Sequence, residues 1–233
     1  MKQLDTTLAA QAKMLGAELY GVTSLDSIQD HVHKIPHYLL DNHTKAISIG
    51  MIMPCSLVEC LKDGQLFGIK LYNHYFKQVV IPTLERTALI IANLLEKAAN
   101  RAFILPADLS SFSPGHPVYF HHLIASYAGL GWLGKSNRLI NSTYGARVHC
   151  ITILTDADLE ISEAVEDGCK QCCLCLDHCP GGALSGIPFH PHHQPDHRRD
   201  GEKCRNTGST DQNDTTELPV NCGMCLAICP YNK

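Results

Sequence analysis

The sequence predicts an α+β protein, with a layered α/β region over residues 1–160 and a small cysteine-rich region over residues 161–233. Three observations carry this reading. Segments of helical period alternate with β-branched runs through the first region. From Gly168 onward that periodicity gives way to Cys, Pro and Gly. Of the 12 cysteines in the chain, nine lie between Cys169 and Cys229.

Taken in order, Leu4, Leu8, Ala12 and Leu15 share one face of a helix predicted over residues 4–18. Residues 19–22 read as a short strand, and residues 45–53 as a stronger one stopped by Pro54. A long helix is predicted over residues 72–100, with Pro82 kinking or splitting it near its first third. Residues 102–105 form another strand, ended by Pro106. Residues 109–117, with Ser113-Pro114-Gly115, read as a loop, and residues 118–127 as a helix feeding a glycine-rich turn. Residues 147–154 are the last clear strand.

With 45% hydrophobic and 18% charged residues among 233, the chain reads as globular, with room for one medium domain and one small one. The longest apolar stretch, residues 88–95, is far shorter than a membrane span, and the first residues are polar. A soluble cytoplasmic protein with no membrane partner is expected. Clustering of the cysteines points to metal and away from scattered disulfides. Residues 1–160 hold 13 basic and 13 acidic side chains, and residues 161–233 hold 6 and 10, so the net charge of −4 arises in the cysteine-rich part. No basic stripe marks a nucleic-acid binder.

Cys169, Cys172, Cys175 and Cys179 stand in C-x2-C-x2-C-x3-C order before Pro180, and Cys222, Cys225 and Cys229 form C-x2-C-x3-C before Pro230. This is the ligand spacing of two 4Fe-4S clusters, in which the last cysteine of each run crosses to the other cluster. A turning loop lets thiolates two and three residues apart reach neighbouring irons, and the proline redirects the chain. Cys169, Cys172, Cys175 and Cys229 are assigned to one cluster, and Cys179, Cys222 and Cys225 to the other. The fourth ligand of the second is Cys204, with Cys173 as competitor; Cys173 adjoins Cys172 and would have to point the opposite way. Zinc sites usually separate two C-x2-C pairs by a dozen or more residues, whereas here four thiols fall within eleven positions. Cys55, Cys60 and Cys150 lie outside the pattern and read as buried or idle thiols. The chemistry expected is transfer of single electrons.

The segment Ala128-Gly129-Leu130-Gly131-Trp132-Leu133-Gly134-Lys135-Ser136 holds the only Trp, and its glycines allow a tight turn and close approach to a ligand. Gly129, Gly134, Lys135 and Ser136 match the phosphate-loop expression, but such a loop follows a strand, and a helix precedes this one. Taken with the strand ending Leu154-Thr155-Asp156, the two cysteine runs, the lone Cys204 and the closing Tyr231-Asn232, the segment resembles epoxyqueuosine reductase. Reductive dehalogenases look like more distant relatives. The resemblance implies a nitroreductase-like N-terminal domain holding cobalamin and a ferredoxin-like domain whose two 4Fe-4S clusters feed it electrons. It also implies that the corrinoid lies against Gly129, Leu130, Gly131, Trp132, Gly134, Lys135 and Ser136.

The family carries an acidic proton donor ahead of the helix that enters the turn. Here that stretch reads Ser113-Pro114-Gly115-His116-Pro117, and Asp108 is the nearest carboxylate upstream. His116 is the candidate replacement, since a pKa near neutrality suits proton delivery; the plainer reading is a surface loop histidine. His121 and His122 read as helix-packing residues or as groups facing a cofactor. His190, His192, His193 and His197 read as a solvated, Pro-rich loop. The relatives often continue into helical repeats, and basic clusters are missing here, so a tRNA substrate is not expected. The function expected is a cobalamin-dependent reductase of a small molecule, with a ferredoxin or flavodoxin as electron donor. The alternative is a ferredoxin-like carrier that passes electrons to a partner protein's corrinoid or flavin.

Overall fold

The computed structural model describes residues 2–31, 41–107, 119–190, 195–207 and 222–233. Its centre is a four-stranded antiparallel sheet in the order β1 (Leu19–Ser24), β2 (Lys45–Ile52), β6 (Val148–Thr155), β3 (Ala102–Ile104). The two middle strands pair over their whole length, with Ile47 opposite Ile153 and Ile49 opposite Ile151. Every residue of β6 is buried, so both faces of the sheet are covered. That explains why these strands read as continuous apolar runs and not as alternating ones.

Side chains alternate between the two faces. Ile47, Ile49, Ile151 and Ile153 pack in one core with Leu8 and Ala12 of α1 (Lys2–Met14) and Leu84, Ala88, Ile91 and Leu95 of α4 (Ile81–Lys97). Ala46 and Leu154 face the other way and meet Ile124 of α5 (Tyr119–Tyr127), while Val148 and Cys150 meet Ala125. The mixed helix and strand content is that of an α+β fold, with helices on both faces of the sheet.

The long helical run begins earlier than expected and stays continuous. It follows the short α2 (Cys55–Glu59) and comprises α3 (Leu66–Tyr75), a π-helical turn over Phe76–Val80, and α4 with Pro82 in its first turn. Widening the helix just ahead of Pro82 accommodates the missing N–H and the ring, and the Thr83 hydroxyl donates to the Val79 carbonyl at 2.6 Å. The whole stretch Leu66–Lys97 is long and apolar enough by composition to span a bilayer. Here its buried residues, Leu84, Ala88, Ile91 and Leu95, belong to the main core.

Between α5 and β6 lies a small antiparallel hairpin, β4 (Trp132–Leu133) with β5 (Leu139–Ile140). It was not predicted, because two-residue strands carry no periodicity. The cysteine-rich part is built from short helices: α6 (Leu174–Asp177), α7 (Pro195–Arg198), α8 (Gly201–Asn206) and α9 (Met224–Ala227). Asp200 caps α8, accepting from the N–H groups of Glu202 and Lys203. Leu226 and Ala227 of α9 enter the same core as Ile151 and Leu84. Asn232 then fastens the last residues down, accepting from the Ala146 N–H at 3.0 Å and donating to the Leu226 carbonyl at 2.8 Å.

Candidate metal centres and the hairpin between them

Each cysteine run folds as a tight turn, a four-residue helix and a Cys-Pro step. In the first run the Cys172 N–H donates to the Cys169 carbonyl, and α6 follows Cys173 directly. In the second, Gly223 takes a left-handed φ of 70° and opens α9. The backbone winds around its own thiols in both, and the Ala183 N–H donates to the Cys179 sulfur at 3.3 Å.

The thiols of the two runs and Cys204 influence one another. Burial first, then the nearby Cys225, Cys169, Cys172 and Cys229, push the Cys175 thiol up to about 12. Burial likewise raises Cys229 to about 11, with Cys169 and Cys172 beside it. Cys204 and Cys222 are also raised by burial, and both have Cys225 and Cys179 as neighbours. Cys173 is exposed, and its sulfur lies 3.9 Å from the Lys135 ammonium. Cys150 is buried on β6, far from this chemistry in sequence, and burial pushes it up to about 12. Among the described residues, no three His, Cys, Asp or Glu side chains close around a single ion. The thiols of Cys169, Cys175, Cys204, Cys222 and Cys229, raised by burial first, ionise together only around a strong positive charge, and iron in a cluster supplies one. The donor set therefore fits two clusters.

The glycine-rich turn packs on the first run. The Trp132 indole N–H donates to the Cys169 sulfur at 3.3 Å, and its ring meets Tyr231 edge-on at 4.9 Å. The Tyr231 hydroxyl in turn donates to the Gly168 carbonyl at 2.8 Å. The Lys135 ammonium donates to the carbonyls of Lys170 and Cys172 at 2.8 and 3.1 Å. The glycines answer to the chain itself: a Cβ on Gly129 would stand 2.4 Å from the Glu163 carbonyl, and one on Gly131 2.1 Å from that of Ile140. Trp132, Gly134 and Lys135 thus lie against the first run, Gly129 and Gly131 against the chain's own backbone, and Leu130 and Ser136 are buried.

Two arginines that the sequence gave no reason to single out complete the site. Arg138, on the hairpin, reaches the Cys225 sulfur and neighbours Tyr72 and Cys204; burial would lower its pKa, but those groups raise it. Arg198 is fully buried. Its guanidinium donates to Asn137 Oδ1 at 2.6 Å and to the carbonyls of Gly134, Ile187 and Leu133 at 2.7, 3.2 and 3.3 Å. It also covers the Phe189 ring at 5.5 Å. Adjacent Arg198-Arg199 in a polar stretch looks like solvated charge, so only the fold reveals the role.

Behind the hairpin lie buried imidazoles. His149 Nε2 is 2.8 Å from the Tyr72 hydroxyl, and the Phe76 ring stands 4.5 Å away. The His121 Nε2–H donates to the Pro106 carbonyl at 2.8 Å, which leaves Nδ1 to accept from Thr152 at 3.0 Å. Both nitrogens of His121 are spent on packing. Burial and then Arg138 hold His149 down to about 3, and the same causes hold His122 well below its ordinary value. The unfolded chain therefore binds protons below about pH 6.5 that the folded chain refuses. Stability from His149 is complete above that pH and is lost as pH falls toward 3, at about 1.4 kcal/mol per unit. His149→Gln should flatten the fall in urea midpoint between pH 6.5 and 4.5; an unchanged slope would refute the assignment. His190 and His197 are exposed, while His116, His192 and His193, like Asp108, lie outside the described residues.

No protein-family profile matches the chain. Among curated proteins it is similar to the epoxyqueuosine reductase of Escherichia coli (strain K12), at 38% identity over 157 residues, 64% of this chain and 38% of that protein. It is similar to that of Gloeobacter violaceus at 35% over 119 residues, 46% of this chain and 34% of that one. Similarity to that of Bacillus anthracis is 24% over 208 residues, 85% of this chain and 50% of that one. The chain thus spans about a third to a half of the length of these relatives. Among solved structures it resembles an epoxyqueuosine reductase with a tRNA-Tyr epoxyqueuosine-modified tRNA stem loop, with a TM-score of 0.65 and 17% identity over 99% of this chain and 66% of that one. It also resembles a catabolic reductive dehalogenase in complex with 3-bromo-4-hydroxybenzoic acid, with a TM-score of 0.70 and 20% identity over 97% of this chain and 31% of that one. At these identities the structures speak for the fold. The first of them overturns the expectation that tRNA is no partner, since a protein of this fold holds a tRNA stem loop. That expectation weighed the lack of basic clusters, whereas a stem loop is gripped through shape and a few local contacts.

Proposed function

On the premise that this chain is epoxyqueuosine reductase-like in sequence and in fold, we propose that it is a cytoplasmic two-cluster reductase acting on an epoxide in a tRNA stem loop. In this reading residues 161–233 form the electron-delivery region and the layered region, residues 1–160, holds a corrinoid as acceptor. The observation that carries it is the gathering of the thiols of both cysteine runs and Cys204 near one another beside the layered region. Cys169, Cys172, Cys175 and Cys229 hold one 4Fe-4S cluster, and Cys179, Cys204, Cys222 and Cys225 the other. Removing an epoxide oxygen as water, to leave an alkene, consumes two electrons and two protons. Each cluster stores one electron, so two clusters hold what one turnover needs. The corrinoid, when bound, supplies the two-electron chemistry at the substrate that the clusters cannot.

The chain's own residues perform the remaining tasks. Trp132, Lys135 and Tyr231 fix the first run against the hairpin, and Arg138 holds Cys225 at the inner side of the second. Apolar layers around the neutral His122 and His149 keep water from the region behind the hairpin.

The test is a single-turnover assay. Anaerobically reconstituted protein, reduced in the presence of hydroxocobalamin, is mixed with an epoxyqueuosine-modified stem loop, and nucleosides are analysed by mass spectrometry. Loss of one oxygen from the modified base is the expected result. An unreacted epoxide on protein that carries about eight irons and has taken up the corrinoid refutes the substrate.

A further inference from the structure

The sulfur of Cys169 rests in a notch on the hairpin Trp132–Ile140. The Trp132 indole N–H donates to it at 3.3 Å, and the Lys135 backbone N–H acts on it as a second donor. Between these two donors stands Gly134, where a Cβ would lie 3.2 Å from that sulfur and 2.7 Å from the Ile140 side chain. A bare backbone lets the hairpin come this close. Gly168, just ahead of Cys169, serves the same contact: a Cβ there would lie 2.6 Å from the Trp132 ring and 3.0 Å from the Tyr231 hydroxyl. Tyr231 meets the indole edge-on and follows Cys229-Pro230, so one ring touches both ends of the set Cys169, Cys172, Cys175 and Cys229. Trp132 is buried, so water does not compete for its N–H. Two charged groups also act on Cys169: Asp167, which accepts from its N–H at 2.8 Å, and Arg198. Both stay in place when the indole N–H alone is exchanged.

An added electron makes a cluster more negative, and its thiolate sulfurs share that charge. A donor aimed at such a sulfur stabilises the reduced form more than the oxidised one, and so raises the potential. Dry surroundings strengthen the effect. We propose that Trp132 sets the reduction potential of the cluster bound by Cys169, through its N–H on that sulfur. It is a positioning residue, since it touches a ligand of the cluster and no reacting atom. This rests on the two-cluster reading above and adds which side chain of the layered region governs one of the two electron steps. At Trp132 and Gly134 the glycine-rich turn is then a cradle for a cluster sulfur.

The experiment is a potentiometric titration of the reconstituted protein, followed by electron paramagnetic resonance, with iron measured on each sample. Trp132 is the only tryptophan in the chain, so growth on benzothienylalanine replaces an N–H by sulfur at this position alone and keeps the shape of the ring. That protein and Trp132→Phe should each keep about eight irons. Each should show one step lowered by about threefold to tenfold in its reduction equilibrium, about 28 to 59 mV for one electron, with the other step in place. Cys204→Ala, expected to keep the cluster at Cys169, assigns the step: the shift should persist in that background. Should Trp132→Phe lose iron, the benzothienyl protein decides by the same criteria. About eight irons with both steps unmoved, with both lowered alike, or with the shift gone in Cys204→Ala overturns the inference alone. About four irons per chain in the parent protein overturns the two-cluster reading and the inference with it.

Discussion

Arg198→Met is expected to destabilise the protein by about 3–5 kcal/mol, because it strips the donors from four buried acceptors at once. Arg198 reaches the hairpin, through Asn137, Gly134 and Leu133, and also the chain between the cysteine runs, through Ile187. A methionine fills much of the volume and lies well against Phe189, so the loss reports the hydrogen bonds and not a cavity. For a chain of this size the cost corresponds to a melting temperature lower by roughly 10 °C. Arg198→Lys should rescue little, since an ammonium cannot spread donors over oxygens on opposite sides of a planar fork. The check is a thermal melt of both variants beside the parent protein. A Lys variant as stable as the parent would show that charge alone matters there and would sink the argument.

Cys204→Ala should halve the iron, from about eight to about four per chain, while Cys173→Ala leaves it unchanged. Cys204 lies with Cys179, Cys222 and Cys225, whereas Cys173 is exposed and its sulfur faces Lys135. Iron and sulfide analysis after anaerobic reconstitution decides between them. Full iron in Cys204→Ala with loss in Cys173→Ala would exchange the two roles.

The sheet and its covering helices were legible because burial on both faces leaves a run of β-branched residues such as those of β2 and β6, and burial on one face leaves the period of Leu84, Ala88, Ile91 and Leu95. The cysteine runs stand out in the sequence by their short fixed spacing, and the fold brings Cys204 near Cys179, Cys222 and Cys225. Other parts were written in no local pattern. α3 begins at Leu66 without a capping side chain, so its first turns resemble a loop. The helices α6 and α9 are four residues long and owe their existence to the turning of each run around its thiols. Gly129 and Gly131 also answer to the close approach of the Glu163 and Ile140 carbonyls, a packing that no local pattern announces. Arg138 and Arg198 could not be found from sequence, since a lone arginine looks the same whether solvent or a carbonyl receives it.

The position of Cys229 beside Cys169 and Cys172, together with Leu226 and Ala227 in the main core, bears on how the protein is made. β6 completes the sheet between β2 and β3, so the layers cannot close before residue 155 has left the ribosome. Even then the core lacks its last pieces, and the first run lacks Cys229, until residues 222–233 arrive. Three thiols of that run wait through some sixty residues of synthesis, in reach of oxidants and stray metals. On the two-cluster reading, iron loading waits for Cys229, and a ribosome stalled short of it would release a chain with an open core and a half-built electron store.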